Sequence, residues 1–449
     1  MHAGAVKSSW SWRPLLRRSR ATPPLMRWRT TATRRLALQP CSGRLSSTIW
    51  QPWLSGRLQS WRANWRASPP SPRCCPCWPP ARRCRATASQ RPRRHPRPTP
   101  ARRRAPSLPP ALSDRTRWAD DIATAFAALS IPAQPHKVCA LAAVIEQEST
   151  WQADPPVANL SKIAKTELDK KRERYGVPKA VLDLALSKTS PDGRTYQHRL
   201  DTLRTERELS DLYEDMIREI PMGTKLFEGQ NPVRTGGSTQ VSIAFAAEHM
   251  REKPYPWRPA GTPREEVFKR RGGLYFGAAM LLDYPVSYNR MLYRFADYNA
   301  GRYSSRNAAV QALLAQLTGQ KIDPDGDLLR YKGGEPLPPR SDPSQAWRAL
   351  LALQAELGVS AAQIERDLKL EKRFEFEQSP TYRRLYQLAE RRGLKPPREQ
   401  LPDIDLSSPK IQRKLTTAWF ADRCEARYRA CLARDAAAAS LPPASDPRP

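Results

Sequence analysis

The chain contains no aspartate or glutamate before Asp114. Over the same 113 residues it carries 23 arginines and one lysine, so the first quarter holds +24 of a formal net charge of +32. That stretch also lacks Tyr and Phe and has a single isoleucine, Ile49. Unbalanced charge and few aliphatic side chains leave too little apolar surface to offset the entropy of ordering a chain. Residues 1–113 are therefore expected to be disordered. Their bias toward Arg, Pro, Ser, Trp and Cys matches a GC-rich gene read in a wrong frame. Recovery of a peptide from 1–110 in the native protein would refute that reading. A basic arm for nucleic acid and a transit peptide are the alternatives. The segment shows no secretory signal, and the chain has no apolar run of about 18 residues.

From Asp114 the charges balance, with 52 basic and 44 acidic residues. Trp118, Ile122, Phe126 and Leu129 recur at helical steps, and a second helix is expected over 137–149. Residues 158–220 read as charged helices around a Pro191-Asp192-Gly193 turn. Further helices are expected near 241–251, 272–283, 287–299 and 307–317, the last stopped by Gly319. No convincing alternating run appears, so the body reads as all-α. The expected divisions are a main domain over 114–320, a linker over 321–343, a smaller helical region over 344–433 and a disordered tail over 434–449.

Cys139, Cys424 and Cys431 are the only thiols after residue 113. The last two lie about 10 Å apart along a helix, too far for a bridge, so packing roles are expected. His2, His95, His136, His198 and His249 have no metal-ligand spacing, and no phosphate-binding Gly loop appears. Neither a metal nor an organic cofactor is expected.

The chemistry centres on AVIEQESTW. Leu141, Val144, Ile145 and Glu148 fall on one stripe, while Glu146 lies about 200° away and should face solvent. A carboxyl on an apolar stripe is costly to ionise, which suits a general acid near neutral pH. Taken alone, Glu148 reads rather as a helix-end glutamate satisfied by a nearby donor. Gly236-Gly237-Ser238-Thr239-Gln240 places a flexible corner before a helix. Asp297-Tyr298-Asn299-Ala300-Gly301 ends a helix with an aromatic hydroxyl, an amide and a Gly cap. By itself Tyr298 reads as a packing residue.

In this order the three segments resemble lytic transglycosylases of the goose-lysozyme type. That family is marked by Glu-Ser with a following aromatic, Gly-x-Met-Gln, and Ala-Tyr-Asn-Ala-Gly. The wider text, including FADYNAGRYSSRNAAVQ, resembles a proteobacterial envelope family, the domain of unknown function 1615. Thr239 stands where Met is usual, and Asp297 replaces an Ala. The 89 positions from Glu148 to Gly237 imply an inserted helical lobe over about 156–230.

The resemblance implies a lysozyme-like domain and cleavage of peptidoglycan glycan strands by one carboxylate. Glu148 would be the catalytic acid and then base, with Ser149, Gln240, Tyr298 and Asn299 binding the sugar. It also implies a periplasmic or envelope location, with membrane contact only through a lipid anchor on a lost N-terminus. A hydrolytic muramidase is the near variant, and a glycan-binding scaffold that does not cut is the alternative. A nucleic-acid partner is not expected, because that charge signal lies almost wholly in 1–113.

Overall fold

The computed structural model describes residues 108–440 apart from 221, 333 and 407–414. The described residues form an all-α protein whose three β-ladders have two residues per strand. The expectations for most of 1–113 and for the end of the tail lie outside the described residues.

Helix α1 (Arg115–Ala128) and helix α2 (Pro135–Ser149) come first. Leu108 is fully buried in the same core, so the fold begins before the acidic residues do. The segment expected as an inserted lobe contains α3 (Leu160–Arg174), α4 (Lys179–Ser187), α5 (Tyr196–Asp201), α6 (Glu206–Arg218) and the short α7 (Gly223–Phe227). Helix α6 opens on a reciprocal capping box, in which Thr205 and Glu208 satisfy each other's backbone N–H groups. A hairpin of β1 (Thr235–Gly236) and β2 (Val241–Ser242) follows, with Gly236 opposite Val241. Next come α8 (Ile243–Glu252), α9 (Pro263–Val267), α10 (Arg270–Leu282), α11 (Met291–Ala300) and α12 (Ser304–Thr318).

Helix α2 is the centre of the main body. The periodicity predicts a one-sided stripe, but every residue from Cys139 to Ser149 except Glu146 is buried. A helix buried on nearly all sides belongs inside a core. Small side chains at Ala140, Ala142 and Ala143 let neighbours approach from several directions. Glu146, expected to face solvent, is the partly exposed residue of that run.

The connector after α12 is not a loose linker. Ile322, Leu328 and Leu329 are buried in a second core with Val310, Trp347, Leu350 and Leu385. Its hairpin, β3 (Tyr331–Lys332) against β4 (Glu335–Pro336), leads to α13 (Gln345–Ala352), α14 (Gln354–Leu357), α15 (Ala361–Leu368) and α16 (Pro380–Arg391). The fully buried Glu371 carboxylate accepts bonds from the Leu328 and Leu329 amides and the Tyr331 hydroxyl. Buried Arg306 on α12 donates to the carbonyls of Glu371 and Arg373. These charge-assisted bonds tie the second core to α12, so 321–343 is part of the packed body.

After β5 (Asp405–Leu406) and β6 (Leu415–Thr416), the chain returns to the first core in α17 (Thr417–Ala439). Phe420, Ala421 and Cys424 pack with Ala140, Val144 and Phe295. The expected region over 344–433 is thus divided, with α13–α16 in the second core and α17 against α2 and α11. The expected packing roles of two cysteines also need correction. Cys139 and Cys431 form a disulfide across 292 positions, while Cys424 is a buried free thiol. Helix α17 continues through Ala436-Ala437-Ala438 into the expected tail, as the high helix propensity of alanine favours.

Candidate active site around Glu148

Glu148 occupies the last turn of α2 and is 5% exposed. Beyond it the backbone turns sharply, with positive φ at Thr150 (50°) and Trp151 (65°). A β-branched and a bulky residue rarely adopt this left-handed conformation. The turn is held by Thr150 N donating to the Glu146 carbonyl and Gln152 N donating to the Ser149 carbonyl. Trp151 also packs edge-on against Trp118, with ring centroids 5.2 Å apart. Backbone strain of this kind collects at functional sites.

The β1–β2 hairpin docks on α10 through glycines. A Cβ on Gly277 would lie 2.5 Å from the Thr239 hydroxyl and methyl groups. Gly237 has φ +74°, and a Cβ there would strike the Val267 carbonyl. Thr239 is fully buried and donates its hydroxyl to the Gly273 carbonyl at 2.7 Å. Threonine therefore suits this slot, where the longer methionine of the resembled motif would meet α10. Gln240 follows with φ 52°. Its side-chain carbonyl accepts from Thr235 Oγ1 at 3.2 Å, and its amide reaches the Gly237 carbonyl at 3.5 Å.

Residues 297–301 fasten three surfaces together. Asp297 is fully buried and accepts from Tyr303 N at 2.9 Å, Ser305 N at 2.7 Å, Tyr288 Oη at 2.9 Å and Tyr284 Oη at 3.3 Å. The aspartate at this departing position fixes the turn into α12, and burial raises its pKa above the ordinary carboxylate range. Tyr298 Oη donates to the Thr239 carbonyl at 2.8 Å. Asn299 Oδ1 accepts from Thr417 Oγ1 at 2.9 Å, which ties α11 to the start of α17. Gly301, with φ +112°, ends α11.

The three sequence segments are therefore brought together, and Tyr298 is the joint. Burial raises the Tyr298 pKa, its bond to Thr239 opposes this, and the Glu148 charge adds to the rise. Burial, reinforced by Glu148, also raises the Cys424 thiol well above its usual value. Burial lowers the Arg427 pKa, while Glu146, Cys424 and Glu148 oppose that effect. Cys424 and Arg427 are contributed by α17, and sequence reasoning placed neither at the site. Ser149 is 2% exposed, and its hydroxyl donates back to the Ile145 carbonyl at 2.9 Å. Gln240 is occupied within its hairpin and Asn299 faces α17, so these two share the region through the backbone of their segments.

Several buried polar atoms here lack a hydrogen-bond partner among the described residues: Gln147 Oε1, Trp151 Nε1 and Ser238 Oγ. Two belong to residues within three positions of Glu148. An open cleft of about 950 Å³ lies between α5–α6 and α8–α9. None of the five expected site residues lines it. Arg204 and Arg207 are part of its wall, and the segment after Glu148 meets that wall where Val157 N donates to the Arg204 carbonyl at 2.8 Å. A group of three or more metal-ligating side chains is not found among the described residues.

Residues 111–434 match the family described as Protein of unknown function (DUF1615). The chain is 48% identical over 326 residues to the Uncharacterized protein YaiW of Escherichia coli (strain K12), covering 72% of this chain and 87% of that protein. No solved structure matches it.

Proposed function

This chain belongs to the DUF1615 family, and from the site we propose that it is a peptidoglycan lytic transglycosylase of lysozyme-like descent. The observation that carries the proposal is the Tyr298 hydroxyl bonded to the Thr239 carbonyl beside the charge of Glu148. That bond joins two of the three segments that resemble the transglycosylase motifs, and the charge of the third acts on the same hydroxyl. Strained backbone at Thr150, Trp151 and Gln240 adds support.

In the proposed reaction Glu148 donates a proton to the oxygen joining N-acetylmuramic acid to N-acetylglucosamine. That bond breaks, and the substrate's acetamido group stabilises the cationic sugar. Glu148, now a carboxylate, removes the proton from the 6-hydroxyl of the same sugar. The freed oxygen closes a 1,6-anhydro ring, and Glu148 is again protonated. Tyr298 and Gln240 hold the walls in place, since geometry supplies much of such a rate. The substrate would place the protein in the periplasm.

A second reading is favoured by a separate observation. Glu148 is 5% exposed, with α17 packed over its helix. The open cleft between α5–α6 and α8–α9 is lined by none of the five expected site residues, so a bound glycan need not reach the carboxyl. On this reading the protein holds glycan without cutting it.

The discriminating experiment incubates the full chain with purified cell wall and analyses the soluble products by mass. Anhydro-muropeptides support the transglycosylase. Products carrying reducing ends identify a muramidase instead. Sedimentation with cell wall but no released product supports the glycan-binding reading.

A further inference from the structure

The six large hydrophobic side chains that are exposed among the described residues all lie in the inserted lobe, between Tyr175 and Met222. Four of them, Tyr175, Val177, Val181 and Leu184, belong to one turn and the helix after it. The turn follows α3 through Gly176, with φ +65°, and Pro178 starts α4. Every residue from 173 to 181 is exposed, so this segment protrudes. Helix α4 has two opposed faces. Leu182 and Leu186 pack into the main core, while Val181 and Leu184, three positions apart, project on the other side.

The surrounding charge is basic in balance. Residues 162–188 contain eight basic side chains against four acidic ones, Glu167, Asp169, Glu173 and Asp183, and Lys170, Arg172 and Lys179 pair with those acids. Exposed apolar groups within a basic surround fit the interface of an anionic bilayer, where rings and aliphatic groups enter the headgroup zone and lysines meet phosphates. A tyrosine suits that boundary because its ring is apolar and its hydroxyl stays wet. Four side chains amount to a few hundred Å², below the roughly 800 Å² per partner of a stable protein interface.

We propose that the tip formed by the end of α3 and the outer face of α4 is a docking surface for an anionic lipid bilayer. The inference is independent of the chemistry at Glu148. If both hold, the lobe would tether an enzyme to the membrane beside its wall substrate.

The test is hydrogen exchange of the full chain, resolved by peptide, with and without vesicles containing one-third phosphatidylglycerol in phosphatidylcholine. Regional resolution is needed because the +24 of residues 1–113 would bind such vesicles by itself. The expected result is slowed exchange across 173–184 with anionic vesicles and little with pure phosphatidylcholine. Val181→Asp/Leu184→Asp should reduce that protection about tenfold or more, since two apolar side chains are lost from the interface. Both positions are exposed, so the melting temperature should hold. Protection confined to 1–107, or equal in the variant, overturns the proposal. So does protection that rises with protein concentration without lipid, which would identify a second copy as the occupant.

Discussion

Breaking the Cys139–Cys431 disulfide should cost the protein a large part of its stability. The bridge closes 292 positions between α2 and α17. For a loop of that length the chain-entropy expression gives about 19 cal/mol/K, or about 5.7 kcal/mol at 25 °C. Native disulfides usually contribute less, about 2–5 kcal/mol, so a loss of about 3–5 kcal/mol is expected. With an unfolding entropy of about 2.1 cal/mol/K per residue, the body described over 108–440 should melt roughly 4–7 °C lower. The assay is thermal unfolding followed by circular dichroism, comparing wild type with Cys139→Ala/Cys431→Ala, each with and without a thiol reductant. Reductant should bring wild type down to the variant's midpoint and leave the variant unmoved. The second condition controls for the five cysteines before residue 114. Coincident midpoints in wild type and variant, with no response to reductant, would refute the loop-closure reasoning.

Three further outcomes follow from individual contacts. Gly277→Ala should drive a Cβ into Thr239 and destabilise by about 1–3 kcal/mol, read as a lower midpoint in denaturant. Tyr298→Phe leaves the buried Thr239 carbonyl without its donor and should cost about 1–3 kcal/mol. The same variant should also reduce any glycan release, because it loosens the hairpin from α11. Burial holds the His249 pKa below its ordinary value, with Asp283 opposing. The unfolded chain then takes up that proton at higher pH than the folded one, so this contribution to stability is present above about pH 6.5 and declines as pH falls toward the folded value. Wild type should lose more melting temperature between pH 7 and pH 5 than His249→Phe does, and parallel losses would discount the histidine.

The helices were legible where local rules decide them. Pro135, the Thr205–Glu208 box and the stripe through Phe126 mark their own elements. The approach of the Glu148, Thr239 and Tyr298 segments was legible only through resemblance, because no local rule links positions 59 and more residues apart. The docking of helix α17 on α2 was hidden for the same reason. The apolar residues of α17 suit any helix, and although helical spacing excludes Cys424 as the partner of Cys431, nothing near Cys431 points to Cys139. The connector was misleading because Pro, Gly and Asp signal irregular backbone without showing whether it is packed. Glu371, Arg306 and Gln311 supply hydrogen bonds that a hydrophobic pattern does not register. Thr239 and Asp297, which depart from the resembled motifs, acquire reasons only beside Gly277 and the Tyr303 and Ser305 amides.

The central claim concerns what Glu148 does, and Glu148→Gln tests it most directly because the amide keeps the shape and removes the transferable proton. Wild type and variant are incubated with the same purified cell wall, and anhydro-muropeptides are quantified by mass while bound protein is measured by sedimentation. The account predicts product from wild type, its loss in the variant, and equal binding by both. Equal product from both, or none from wild type that sediments with the wall, would contradict it.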